Sequence, residues 1–105
     1  FDCVLPTRLG RHGTILTDAG RLNLSNAACA RDERPLDPDC RCEVCARWSR
    51  GYLRHLLRVH EPTVHRLLTL HNVTWLLGLV DQMRTAIRAG AFSALRREVL
   101  GVWAG

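Results

Sequence analysis

Lysine is absent from this chain. All 15 of its basic residues are arginine, and with 10 acidic residues they give the 105-residue sequence a formal net charge of +5. A bias of this kind is typical of a GC-rich coding sequence. It also suits a phosphate-bearing partner, because guanidinium groups bind phosphate through two parallel hydrogen bonds. The charge therefore permits a nucleic-acid partner without identifying one.

Long apolar runs are also absent. No stretch approaches the roughly 18 apolar residues of a membrane-spanning helix, so we predict no membrane partner. Residues 1–20 lack the basic-then-apolar order of a signal peptide. Phe1 stands where an initiator Met would be, and the apolar start predicts a truncated chain.

The cysteines do not form the pattern of a disulfide framework. There are five of them, an odd number, and three fall within six residues. Such clustering favours a metal site and a reducing compartment, so we expect a cytoplasmic protein. A chain of this length builds only a modest core, which a bound metal would reinforce.

The first third of the chain predicts strands. Residues 1–5 are an apolar run ended by Pro6 and are expected to end a buried strand. Residues 7–14 contain two glycines and predict a loop. Residues 15–17 and 21–24 flank a glycine-containing turn and predict a hairpin.

The rest of the chain predicts helices. One should follow Cys45 and carry four arginines on one face, the next should start at Pro62, break near His71 and stop at Gly90, and a last one should follow. The arginine face fits a solvated or ion-pairing surface as well as an RNA contact. The four arginines are Arg47, Arg50, Arg54 and Arg58.

Cys40, Cys42 and Cys45 form a Cys-x-Cys-x-x-Cys sequence, whose thiolates can converge from one tight turn. Zinc prefers thiolate and imidazole ligands, and its structural sites use four protein ligands. The alternative is a group of buried, merely reduced thiols. The fourth ligand is open from the residues alone, with four histidines as candidates and the last of them favoured by its position. The candidates are His55, His60, His65 and His71.

Four motifs resemble those of the tRNA-guanine transglycosylases, the queuine tRNA-ribosyltransferases, and the match is closer to the bacterial branch. They appear in the family's order and span nearly the whole chain. They are residues 1–8 (FDCVLPTR), 35–45 (PLDPDCRCEVC), 49–56 (SRGYLRHL) and 70–72 (LHN).

This resemblance implies an α/β fold, the C-terminal end of a (β/α)8 TIM barrel with a zinc-binding subdomain. The chain itself would be a short strand and hairpin followed by mainly α-helix. Residues 1–34 would hold the last barrel strand, the active-site loop and the hairpin, residues 35–72 the zinc subdomain, and residues 73–105 the C-terminal helices. The resemblance also implies one structural Zn²⁺ bound by Cys40, Cys42, Cys45 and His71.

The resemblance further implies the exchange of guanine at the tRNA wobble position for a 7-deazaguanine base, preQ1, in queuosine biosynthesis. Asp2 matches the nucleophile that forms a covalent intermediate with ribose. From the residues alone, a strand-end cap or turn residue is the favoured interpretation of Asp2. The same family features would place Thr7, Arg8 and Arg11 beside the tRNA anticodon loop, although a solvated loop would also explain the arginines. Because enzymes of this family form homodimers, the resemblance also implies a homodimer.

Two other interpretations need no chemistry in this chain. It could be a non-catalytic, zinc-stapled module that grips RNA through its arginines, or a structural piece that packs on a partner. The isolated fragment is expected to be inactive even if the parent is an enzyme. The presence of Asp2 favours the enzyme over the binding module, because binding alone does not require a carboxylate at the end of a buried strand.

Overall fold

The computed structural model describes residues 5–103, with the side chain of Leu5 left out. Five α-helices, a two-stranded sheet and one short 3₁₀ helix make up this part of the chain. The helices are α1 Leu5–Arg11, α2 Glu43–Arg47, α3 Arg50–Arg58, α4 Thr63–Arg88 and α5 Phe92–Trp103; the strands are β1 Thr14–Thr17 and β2 Gly20–Asn23; the 3₁₀ helix is Ala27–Cys29.

The predicted hairpin is confirmed. Strands β1 and β2 are antiparallel, and Thr17 pairs with Gly20 across the turn. The Thr17 hydroxyl donates to the Gly20 carbonyl (2.6 Å) and accepts from the Ala19 N–H (3.2 Å). The hairpin therefore closes through a side chain of its own first strand.

Helix α1 corrects the prediction of a loop over residues 7–14. Pro6 lies in its first turn, where a missing N–H costs nothing because the first helical N–H groups have no partner within the helix. Gly10, which the sequence predicts in a loop, packs directly on α4: a Cβ there would lie 3.0 Å from the Thr69 hydroxyl oxygen. Of the predicted strand over residues 1–5, only Leu5 is described, and it begins α1.

The predicted helix after Cys45 is two helices. Helix α2 starts before Cys45, since the Cys42 sulfur caps its first turn by accepting the Cys45 N–H (3.4 Å). The backbone is extended at Trp48, and the Ser49 hydroxyl starts α3 by accepting the Tyr52 N–H (3.1 Å). Serine is a strong N-cap, and here it separates the two helices.

Helix α4 is continuous where a break was predicted near His71. It runs for 26 residues, about 39 Å at the usual rise per residue. Neither Pro nor Gly occurs at the predicted break, and the side chains of His71 and Asn72 point into the core instead of interrupting the backbone ladder. Gly90 ends the helix with a left-handed φ of 71°, as predicted.

One hydrophobic core joins the hairpin, the cysteine-containing loop over residues 37–42 (the metal loop), α2, α3 and the first half of α4. Helix α5 packs on α4, where the rings of Trp75 and Trp103 lie 5.5 Å apart, and contributes no fully buried side chain. The core residues that are completely buried are Ile15, Leu24, Leu36, Val44, Leu53, Val64 and Leu68.

The structure contains a two-stranded sheet within residues 5–103, and the (β/α)8 barrel stays a prediction. The boundaries drawn at residues 34 and 72 are likewise a prediction. No helix over residues 5–103 is both long enough and apolar enough to span a bilayer.

We predict opposite effects for two glycine substitutions. Gly13 has a φ of +75°, so Gly13→Ala should lower the free energy of unfolding by about 1–2 kcal/mol. Gly78 lies in α4 with open space around it, so Gly78→Ala should raise that free energy by about 0.5–1 kcal/mol. Urea unfolding at fixed metal concentration measures both, and equal responses would contradict the backbone argument.

Candidate metal centre

The three clustered cysteines occupy a turn that leads into α2. The Cys40 N–H donates to the Asp37 carbonyl (3.0 Å), which starts the turn, and Cys42 is the N-cap of α2. Cys45 lies within the first turn of that helix. All three sulfur atoms thus converge at the start of α2.

His71 completes the group from α4. The donor atoms of Cys40, Cys42, Cys45 and His71 all lie within 4.8 Å of one another. His71 Nδ1 is 3.5 Å from the Cys42 sulfur and 3.3 Å from the Cys45 sulfur. Ordinary zinc–ligand bond lengths in a tetrahedral site separate sulfur and nitrogen by about 3.5 Å. The group is therefore spaced to bind one metal ion.

The second ring nitrogen of His71 fixes which nitrogen faces the cysteines. His71 Nε2 lies 2.9 Å from the Leu16 carbonyl oxygen, which can only accept, so Nε2 carries the proton. Nδ1 then carries the free lone pair, which faces the sulfur atoms of Cys42 and Cys45. A backbone carbonyl behind the ligand is the usual device for holding a metal-binding imidazole in the correct orientation.

Burial sets the protonation of these groups when no metal is bound. It raises the pKa of the thiols of Cys40 and Cys45 and lowers the pKa of the fully buried His71 imidazole. Neutral thiols and a neutral imidazole are the forms that tolerate an apolar environment. A cation must therefore displace protons from sulfur, while the imidazole already has the form that binds metal.

Asp37 attaches the metal loop to the hairpin. Its side chain is 3% exposed, and its two oxygens accept the N–H groups of Asp18 (2.9 Å) and Asp39 (3.1 Å). Asp18, Asp37 and Asp39 also lie within 4.8 Å of one another as an acidic group. The hydrogen bonds of Asp37 account for its burial, a role that no sequence motif predicts.

Arg50 holds the segment that leads into the metal loop. Its guanidinium group donates to the carbonyls of Pro35 (3.0 Å) and Leu36 (3.1 Å) and pairs with Asp32 (3.2 Å). Arg54 donates to the Asn26 carbonyl (3.1 Å). Both arginines therefore attach α3 to preceding segments of the chain.

The predicted four-arginine helix face is wrong. Arg47 belongs to α2, because the chain is extended at Trp48, so it cannot share a helix face with Arg50. Arg58, in the last turn of α3, is exposed. The spacing along the sequence was helical, but the extended residue Trp48 ends α2 and the cap at Ser49 starts a new helix.

Thr7, Arg8 and Arg11 lie together on α1. All three are exposed, and their positions fall within about 100° of arc around the helix. Their side chains therefore form one polar face, which we call the α1 face. Asp2 lies outside the described residues, so its predicted role stays a prediction.

The other candidate histidines are not in the metal group. His55 is exposed on α3, and His60 lies beyond the end of α3 with a left-handed φ of 58°. His65 is half-buried in α4, with no hydrogen-bond partner for Nδ1. Within residues 5–103, only His71 joins the three cysteines.

Comparison with known proteins identifies the family. The family model described as queuine tRNA-ribosyltransferase matches residues 1–104. The queuine tRNA-ribosyltransferase of Bacillus velezensis is 50% identical over 98 residues, which is 93% of this chain and 26% of that protein. That of Halothermothrix orenii is 49% identical over 100 residues, 95% of this chain and 27% of that protein.

A third relative covers the chain from end to end. The queuine tRNA-ribosyltransferase of Pelotomaculum thermopropionicum is 45% identical over 105 residues, which is 28% of its own length. This chain belongs to the queuine tRNA-ribosyltransferase family. It spans about a quarter of the length of the curated relatives it matches.

Cys42→Ser should abolish metal binding. Serine can still cap α2, but it removes one of the soft ligands. We expect about one metal ion per chain in the wild type and close to none in the variant. Cys29→Ser changes a buried cysteine outside the metal group and should keep the metal. Elemental analysis after gel filtration measures the ratio, and metal-free wild-type protein would contradict the site.

Metal affinity should rise with pH. The raised pKa values of Cys40 and Cys45 mean that two thiols must lose their protons when the metal binds. Affinity should therefore increase by at least about a hundredfold per pH unit between pH 6.5 and 7.5. Competition with a chromophoric chelator, corrected for the chelator's own titration, measures this slope. A constant affinity would show that the thiols are already ionised.

Proposed function

We propose that this chain is the C-terminal part of a bacterial tRNA-guanine transglycosylase that exchanges guanine at the wobble position for the 7-deazaguanine base preQ1. The single observation that carries the proposal is the family match over residues 1–104. The matched range takes in the motif around Asp2, the three clustered cysteines and His71. The remaining three quarters of the enzyme would supply the barrel and the purine-binding groups.

In this mechanism, the Asp2 carboxylate attacks C1′ of the target ribose. The bond from C1′ to guanine breaks, guanine leaves with the bonding electrons and takes up a proton, and an Asp–ribose ester remains. The incoming preQ1 loses a proton and attacks C1′, which releases the carboxylate. Protons balance over the cycle, and two inversions retain the configuration of the sugar.

The location of the α1 face supports an RNA contact beside this nucleophile. Asp2 precedes the first residue of α1 by three positions, a span of at most about 11 Å of chain. Arg8 and Arg11 are exposed on that helix and free to meet phosphates. Phosphate contacts fix the register of a nucleic acid and position its sugar for reaction.

We further propose that the metal is one structural Zn²⁺. Three thiolates and one imidazole are the ligands zinc prefers, and four protein ligands leave no position for water or substrate. When bound, the ion supplies cross-linking between the cysteine turn and α4 and no chemistry for base exchange. By the same resemblance, we propose a homodimer located in the cytoplasm.

Asp2→Ala should abolish base exchange in the complete enzyme that carries this chain. Loss of a nucleophile costs at least about a thousandfold in rate. Asp81→Ala removes an exposed carboxylate of α4 and should leave exchange near the wild-type rate. Incorporation of labelled guanine into tRNA is the measurement.

Three outcomes separate the hypotheses. Exchange that persists in Asp2→Ala removes the nucleophile assignment. Wild-type protein that binds tRNA but never exchanges the base would favour the non-catalytic RNA-binding module. Loss of exchange in Asp2→Ala, with tRNA binding and metal content unchanged, would support the enzyme.

A further inference from the structure

The Asn72 side chain lies at a buried junction of three segments. It is completely buried. Its Oδ1 accepts the Leu16 N–H (3.0 Å), and its Nδ2 donates to the carbonyls of Pro6 (3.2 Å) and Thr14 (3.0 Å). The partners fix the orientation of the amide, since a backbone N–H must face the oxygen and two carbonyls must face the nitrogen.

The bond to Pro6 reaches into the first turn of α1. Among residues 5–103, it is the one side-chain hydrogen bond that any residue makes to α1. Gly10, one helical turn later, is packed against the backbone of Thr69. Helix α1 packs along α4, and these two contacts lie on the side that faces α4, away from the exposed α1 face of Thr7, Arg8 and Arg11.

The residue before Asn72 binds the same strand residue. His71 donates to the Leu16 carbonyl, and Asn72 accepts the Leu16 N–H, so both backbone polar groups of Leu16 are held by consecutive residues of α4. Strand β1 therefore cannot slide along α4 without breaking both contacts. The position of α1 is set from the same turn of helix that carries the metal-facing histidine.

We propose that Asn72 is a positioning residue for tRNA binding: through Pro6 it sets the angle of α1, and so directs Arg8 and Arg11 toward the RNA phosphates. This inference rests on the proposed function. Removal of the amide leaves the Leu16 N–H and two carbonyls without their buried partner, which frees the start of α1 to move. If Arg8 and Arg11 point in another direction, tRNA should bind more weakly, whereas the rate of the chemical step should change less.

The first experiment measures whether α1 moves. Hydrogen exchange of the amides of residues 9–13 is followed by mass spectrometry in the metal-loaded complete protein. Asn72→Ala should speed their exchange by at least about tenfold. Val64→Ala, a matched truncation of a fully buried α4 residue two turns away, should leave these amides unchanged at equal global destabilisation.

The second experiment measures tRNA recognition. Asn72→Ala should raise KM for tRNA by about ten- to a hundredfold and change kcat by less than about threefold. KM for the incoming base should not change. Val64→Ala reports what destabilisation alone does, and it should leave both KM values near those of the wild type.

A double-mutant cycle tests whether the effect passes through the arginines. In protein that already carries Arg8→Ala and Arg11→Ala, adding Asn72→Ala should change KM for tRNA by less than about twofold. A multiplicative effect in that background would overturn the proposal. Such a result would mean that Asn72 acts on the fold in general and not on the α1 face.

The failures are distinguishable. If Asn72→Ala leaves hydrogen exchange of residues 9–13 unchanged while the wild-type protein exchanges the tRNA base, the positioning role is overturned and the proposed function stands. Wild-type protein without base exchange refutes the proposed function and the role that rests on it, whatever α1 does. Faster hydrogen exchange in α1 of Asn72→Ala, with no change in KM for tRNA, overturns the link between α1 and RNA.

Discussion

The two ring nitrogens of His71 impose the constraint on which the rest of this structure depends. Nδ1 faces the sulfurs of Cys42 and Cys45, and Nε2 donates to the Leu16 carbonyl. One imidazole therefore joins the cysteine turn, α4 and strand β1. A buried ring with both nitrogens engaged cannot rotate, and burial keeps it neutral. The metal group and the hairpin are consequently one unit.

Hydrogen bonds to backbone groups extend this unit outward. Asp37 holds the hairpin turn and the metal loop by their N–H groups, and Arg50 holds the preceding segment by its carbonyls. The irregular segment between the 3₁₀ helix and α2 would otherwise have many polar groups to satisfy without strands or helices. Polar side chains that reach across the sequence satisfy them here.

Sequence patterns predicted what depends on local chemistry and failed where packing decides. The hairpin around residues 18–19 and the stop at Gly90 follow from turn and cap preferences. The cysteine spacing predicted a metal site but left its fourth ligand open among four histidines, and the family resemblance assigned it to His71. Helix α1 was missed because Gly10 resembles a loop glycine until α4 lies against it. The division at Trp48 was missed, although Ser49 is a recognisable cap. The buried role of Asn72 carries no sequence signal beyond its place beside His71.

The arginines show why net charge alone does not locate the proposed RNA contact. Arg50 and Arg54 donate hydrogen bonds to backbone carbonyls of this chain, so fewer of their N–H groups remain to bind another molecule. Arg8 and Arg11 are exposed and occupy one side of a helix whose other side is fixed to α4. A guanidinium on a fixed helix loses less freedom when it binds phosphate than one on a mobile loop. If the proposed RNA contact is correct, the direction of these two arginines depends on what holds α1 in place, and that includes the turn of α4 that carries His71 and Asn72.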